Sequence, residues 1–305
     1  MTRHYTFIDF ATQGYLVVVA VLILLLRGQA VPLWPWLLLA HAAAIALVQA
    51  LIVGHARRPS NRVLDFLRHF YPLLLYTGFY RETGILNQMA MTGYLDPFFI
   101  RLEAGIFGAQ PSLTFMPSLP FRPVSELLYA SYFSYYIMIG GVGLALFLRD
   151  RRQFYHYVSV VSFVFYVCYL IYIFTPVMGP RIFQQGINGY ELPAEVQPVV
   201  VPEFPAAVQA GLFFRIMAMI YNIFEAPGAA FPSSHVAVAL TTVYFSFCYL
   251  RRIRFIHLVV AVLLCLSTVY CRYHYAVDVA AGVITALVLV PLGNRLYFRF
   301  HKPFE

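Results

Sequence analysis

Lysine is almost missing from this chain: Lys302 is the only one in 305 residues. Acidic residues are scarce too, 13 Asp and Glu against 21 Lys and Arg, and all charged residues together reach 11%. A soluble domain carries roughly 25%. With 61% of residues hydrophobic and a mean hydropathy of +0.73, a water-soluble globule is excluded and the apolar surface calls for lipid. The net charge of +8 would suggest nucleic acid in a soluble protein. Here it comes from arginine-rich loops beside apolar runs, so no nucleic-acid partner is expected. No CxxC pair is present, which argues against a disulfide framework. Cys168, Cys248 and Cys265 lie inside apolar runs and read as small buried thiols, and Cys271 follows one. There is no HExxH, no dense carboxylate cluster, no repeat and no low-complexity segment. Tyr15–Leu26 has the length of a signal-peptide core and follows Arg3. Arg27-Gly28-Gln29 then leads straight into another apolar run, so the stretch reads as a span and not a leader.

What is present is a succession of apolar runs long enough to cross about 30 Å of hydrocarbon. They fall near 8–26, 32–54, 126–148, 154–175, 232–250, 255–273 and 277–294. A less apolar stretch near 64–86 makes an eighth, with Arg68, His69, Arg81 and Glu82 snorkelling or facing protein. The loops support this count. Arg57, Arg58 and Arg62, then Arg149, Arg151 and Arg152, then Arg251, Arg252 and Arg254, then Arg295, Arg299 and Lys302 all fall on one side if there are eight spans. The positive-inside rule makes that side cytoplasmic, with both termini on it. The expected fold class is an all-α integral membrane protein of about eight transmembrane helices. Residues 1–60 supply two N-terminal helices and 61–305 a six-helix bundle. Two long extracytoplasmic connections, 87–125 and 176–231, are rich in Pro, Gly and aromatics. Within them 96–103 and 213–221 look amphipathic, either lying in the interface with apolar faces in lipid or capping the bundle. The compact arginine-rich loops and minimal termini point to a bacterial inner membrane.

Three elements then fall at one mouth of the bundle. Pro176-Val177-Met178-Gly179-Pro180-Arg181 follows the fifth span, Phe231-Pro232-Ser233-Ser234-His235 opens the sixth, and Arg272-Tyr273-His274-Tyr275-Ala276-Val277-Asp278 joins the seventh to the eighth. Two histidines, an aspartate and an arginine at one depth suit phosphoryl transfer. A neutral His274 is a good nucleophile toward phosphorus and a good leaving group afterwards. Asp278, one helical turn on, would hold its tautomer and stabilise the imidazolium. His235 would protonate the departing oxygen and then deprotonate the incoming one. Arg181 offers a planar donor fork for the phosphoryl oxygens. Ser233 and Ser234, with free N–H groups at a helix start, could bind phosphate, cap the helix, or both. Two His and an Asp are also a possible zinc set. The remaining histidines, His4, His41, His55, His69, His156, His257 and His301, have no acidic or histidine partner at a telling spacing and read as anchors or satisfied polar groups.

These motifs resemble those of the type 2 phosphatidic acid phosphatase (PAP2) superfamily over about residues 64–294. More closely the chain looks like its inositol phosphorylceramide synthase branch and, further away, the sphingomyelin synthases. Phe231-Pro232-Ser233-Ser234-His235 is similar to the FPSxH element of that branch, and His274-Tyr275-Ala276-Val277-Asp278-Val279 to its HYxxDV element. The resemblance implies His274 as nucleophile, Asp278 as its orienter, His235 as acid/base, and neither metal nor cofactor. The chain departs from the phosphatase pattern in three places. Phe174 stands where that pattern has Lys, Ile182 where it has Pro, and Thr268 where the third motif has Arg, with Arg272 close enough to replace that charge at the phosphate. The departures favour transfer of a phosphoryl-linked head group from a phospholipid to a lipid or alcohol acceptor over hydrolysis with water as acceptor. A transporter with titrating His and Asp is a third reading, disfavoured because such sites lie near the midplane on broken helices. Oligomeric state is not legible.

Overall fold

The computed structural model describes residues 4–27, 31–183 and 202–300. Part of the second long connection, 184–201, and His301 and Lys302 lie outside the described residues. In chain order the helices are α1 (Phe7–Leu26), α2 (Trp34–Arg57), α3 (Arg62–Leu86), the short α4 (Asp96–Phe107) and α5 (Pro111–Ser118), then α6 (Arg122–Arg149), α7 (Arg151–Phe174), the short α8 (Ala206–Gln209) and α9 (Leu212–Phe224), and finally α10 (Ser234–Tyr249), α11 (Arg254–Tyr270) and α12 (Ala276–Phe300). No strand occurs among the described residues; one isolated parallel bridge joins Val177 to Ala229. By length and composition α1, α2, α6, α7 and α12 can each cross a membrane, and α10 and α11 are shorter apolar helices. The chain is an all-α membrane protein, and each of the eight expected runs coincides with one helix, five of them long and apolar enough to cross a membrane.

Why α3 is tolerated among apolar helices is visible in its partners. Asn61 caps it, its Oδ1 accepting from Val63 N and Leu64 N at 3.0 Å each. Arg68 is buried and faces protein, donating to Asp9 of α1, which also accepts from Tyr71 at 2.8 Å. Glu82 lies 2.6 Å from His41 Nε2 of α2. A charge buried without a partner costs several kcal/mol, so each pair compensates charges that lipid would not tolerate singly. These pairs tie α1 and α2 to α3, and His41 thereby gains an acidic partner that sequence spacing does not reveal.

α7 is the most buried of the long apolar helices. It packs against α1, α3, α6, α10 and α12. Its two ends are held differently. At the start, Arg151 meets Asp65 of α3 at 3.0 Å, and the neighbouring Arg149 donates to the Tyr249 carbonyl at the end of α10 at 2.8 Å. The arginine-rich turns are therefore gathered at one end of the bundle. Cys168 is buried as expected, but Cys248 is exposed and Cys265 only half-buried, because those faces of α10 and α11 point outward. No disulfide joins the four thiols.

α4 has features of both readings offered for 96–103, one face packed on the bundle and apolar residues on the other. Its buried stripe is Asp96, Phe99, Ile100 and Glu103, at one-turn spacing, while Phe98, Ile106 and Phe107 are exposed. Both carboxylates face inward because donors meet them there: Met178 N, Gly179 N and Tyr275 OH for Asp96, and Val277 N at the start of α12 for Glu103. The helix lies against the bundle and presents apolar residues on its outer side.

Candidate active site

At the other end of the bundle, short hydrogen bonds bring the three motif loops together. Leu95 N donates to Pro176 O at 2.8 Å, Val177 N to Gly228 O at 3.2 Å, and Ala230 N to Val177 O at 2.9 Å. Gly179 has φ +85, and a Cβ there would sit 2.8 Å from the Tyr273 carbonyl, so only glycine permits this approach. Gly282 does the same for α12, where a Cβ would meet the Ser233 carbonyl at 2.7 Å. α10 is capped by Ser233, whose Oγ accepts from Val236 N at 3.3 Å while its own N–H donates to Asp278 O at 3.2 Å. The turn from α11 to α12 passes through Arg272 at φ 60, then closes with Tyr273 N and His274 N both donating to Thr268 O, at 2.9 and 3.0 Å.

The result places His274 Nε2 at 3.4 Å from His235 Nδ1. His274 Nδ1 is 3.4 Å from Asp278 Oδ2. That oxygen already accepts from Tyr275 N at 2.9 Å, and Asp278 Oδ1 is buried with no partner among the described residues. The contact between His274 and Asp278 is longer than an ordinary hydrogen bond; such bonds commonly tighten when substrate arrives. His274 and Asp278 are almost fully buried, whereas His235 is partly exposed to a cavity. Burial pushes His274 down to about 4 and so favours the neutral imidazole; the Ala230 backbone opposes the shift.

The cavity has a volume of about 550 Å³ and runs between α3, α6, α7 and α9 to His235 and Ser234. Tyr76, Phe133, Tyr136, Phe165 and Tyr169 make its walls apolar and aromatic. Glu225 is among the few polar groups lining it. Arg181 Nη1 lies 3.6 Å from Glu225 Oε2, with the guanidinium 4.7 Å above the Tyr221 ring and 5.8 Å from Tyr273. Burial raises Glu225 and Arg181 opposes the shift.

Of the residues singled out in the sequence, His235, His274, Asp278, Ser233 and Ser234 therefore converge, and Arg181 joins them through two tyrosine rings. Ser234 N donates to Tyr172 OH at 3.1 Å, and Tyr172 OH donates to Pro232 O at 2.9 Å, which pins the loop. Arg272 is placed differently. Its Nη1 donates to Pro202 O at 2.7 Å and its guanidinium lies over Phe204 at 4.6 Å. Its Nε and Nη2 are buried with no partner among the described residues.

Four residues escape the sequence reading. Asp96 accepts from Met178 N and Gly179 N at 2.9 Å each and from Tyr275 OH at 3.0 Å, tying the Arg181 loop to the His274 turn. Glu103 accepts from Val277 N at 3.2 Å at the start of α12. Burial pushes both carboxyls up to about 7. Tyr132 OH is 3.1 Å from His235 Nε2 and 2.7 Å from Tyr221 OH. The i, i+7 placing of Asp96 and Glu103, with Phe99 and Ile100 between them on one helical stripe, was a usable signal; with 23 tyrosines in the chain, Tyr132 and Tyr221 had none. Among the described residues no group of three or more His, Cys, Asp and Glu is arranged to hold a metal ion.

The family model of the PAP2 superfamily matches residues 105–292, from the last turn of α4 into the second half of α12. No curated protein and no solved structure matches the chain.

Proposed function

The chain belongs to the PAP2 superfamily, and on that premise we propose that it transfers a phosphoryl-linked head group from a phospholipid to a lipid or alcohol acceptor through a phosphohistidine. Membership makes it a membrane enzyme of lipid phosphates, a phosphatase or phosphotransferase. The observation that carries the finer reading is the pair of imidazoles with nitrogens 3.4 Å apart, one backed by Asp278 and the other opening onto an apolar cavity.

In this reading the donor phosphorus sits beside His274 Nε2, its oxygens held by Arg181 once that side chain leaves Glu225. Nε2 attacks, the bond from phosphorus to the leaving lipid oxygen breaks, and His235 Nδ1 gives that oxygen its proton. The phosphorylated ring is cationic, and Asp278 at Nδ1 stabilises it. The acceptor hydroxyl then loses its proton to His235 Nδ1 and attacks phosphorus, and the N–P bond breaks to free His274. Transfer is favoured over hydrolysis because the route to His235 is aromatic and apolar: it suits a lipid acceptor and keeps water from the intermediate. On the positive-inside argument the site faces away from the cytoplasm.

Product analysis tests this. Purified enzyme is given a labelled phospholipid mixture with and without diacylglycerol, ceramide and inositol, beside His274→Ala. A new phospholipid that depends on an added alcohol and is absent with His274→Ala is the expected result. Release of inorganic phosphate alone would make water the acceptor, and a product that survives His274→Ala would remove the nucleophile assignment.

A further inference from the structure

His274 has a carboxylate at its back, and His235 has none. The nitrogen of His235 that faces the reaction is Nδ1, 3.4 Å from His274 Nε2. Its other nitrogen, Nε2, points away from the reacting atoms to Tyr132 OH at 3.1 Å. Tyr132 is fully buried in α6, its hydroxyl also 2.7 Å from Tyr221 OH, and its ring is 5.0 Å from the His235 ring and 4.7 Å from Tyr273. Tyr221 in turn stacks on Tyr273 at 3.9 Å with planes 4° apart, under the Arg181 guanidinium. Tyr132 therefore cannot swing without unpacking this stack.

We propose that Tyr132 is a positioning residue that acts through His235, holding Nε2 so that Nδ1 stays aimed at the phosphoryl group in both its proton-bearing and proton-free forms. The inference rests on the reading of His235 as acid/base. The chemistry of the partner is what makes it fit. A phenol hydroxyl accepts from Nε2–H when His235 is cationic or when Nδ1 is bare, while its own proton goes to Tyr221. It carries no charge, so it does not trap the proton on His235 as a carboxylate would. A group that must give a proton in one step and take one in the next needs a neutral anchor of this kind. Tyr221 is the far end of the chain and completes the valence of the Tyr132 hydroxyl.

Tyr132→Phe removes the hydroxyl and keeps the ring in its stack. The expected result is a loss of about tenfold or more in kcat, the scale of one lost hydrogen bond to a working group, with KM nearly unchanged. Made in the His235→Ala background, the same change should cost nothing further, because residues that act as a unit are not additive. Wild-type kcat in Tyr132→Phe, or a full independent loss in the double variant, would overturn the proposal. So would a loss found wholly in KM. His274→Ala run alongside separates the two levels. If it keeps activity, the phosphohistidine reading falls; if it is inert while Tyr132→Phe is normal, only the role of Tyr132 falls.

Discussion

The two histidines sit side by side in unlike surroundings. Behind His274 lies an acidic wall from α4 and α12: Asp278 at 3.4 Å, with Asp96 bonded to the adjacent Tyr275 and Glu103 to Val277. Around His235 lies a phenolic wall from α6, α9 and the turn before α12: Tyr132, Tyr221 and Tyr273, with the Tyr135 ring 4.5 Å away. In the proposed mechanism the same side chain is given two tasks by its neighbours. Negative charge behind an imidazole favours its cationic, phosphorylated form; neutral hydroxyls leave an imidazole free to exchange its proton.

The comparison can be broken at several points. His274→Ala should abolish turnover, because it removes the nitrogen that bonds to phosphorus in the proposed mechanism. His235→Ala should lose about 100- to 10,000-fold in rate, the usual worth of a positioned acid/base. Steady-state kinetics on both purified variants checks the asymmetry, and equal losses would argue that the two rings share one role. Asp96→Asn puts an amide donor against one of the two backbone N–H groups that now meet a carboxylate. The Arg181 loop and the His274 turn should separate slightly, with kcat/KM falling about 100-fold, as a misplacement near 1 Å can cause. Unchanged kinetics would mean that the two loops hold their register without it.

The smallest effect concerns stability. Glu103 is raised from an ordinary 4.5 to about 7 by burial, and Asp96 from 3.8 to about 7. Folding therefore favours the protonated forms. Their contribution is full below the ordinary values and is lost as pH rises through about 7. Melting of the detergent-solubilised protein should move to lower temperature as pH rises from about 5 to about 8, and Glu103→Gln should flatten that slope. A slope identical in the variant would remove Glu103 from the acidic wall.

Much of this molecule is written in local pattern. Eight apolar runs, four arginine-rich clusters and three loop motifs were sufficient to place the long helices, because lipid imposes length and apolarity on each span separately, and they nominate His235, His274 and Asp278 as candidates. The arginine expected from the third motif shows the limit: Arg272 is where the sequence puts it, but its guanidinium goes to Pro202 and Phe204. α4 shows it again, since amphipathicity reveals that a helix has two faces and not which of them is buried.

The sequence by itself determined the membrane class, the order of the spans and which residue types stand at one mouth of the bundle. Only the tertiary structure decided the partners. Tyr132 with His235 is separated by 103 positions in the chain, Asp96 from Tyr275 by 179, and His41 from Glu82 by 41. Local periodicity carries no information about such distances. They are closed by helix packing around α7 and by glycines at 179 and 282 that let backbones meet, and a buried polar group takes as its partner whichever donor or acceptor that packing brings within reach.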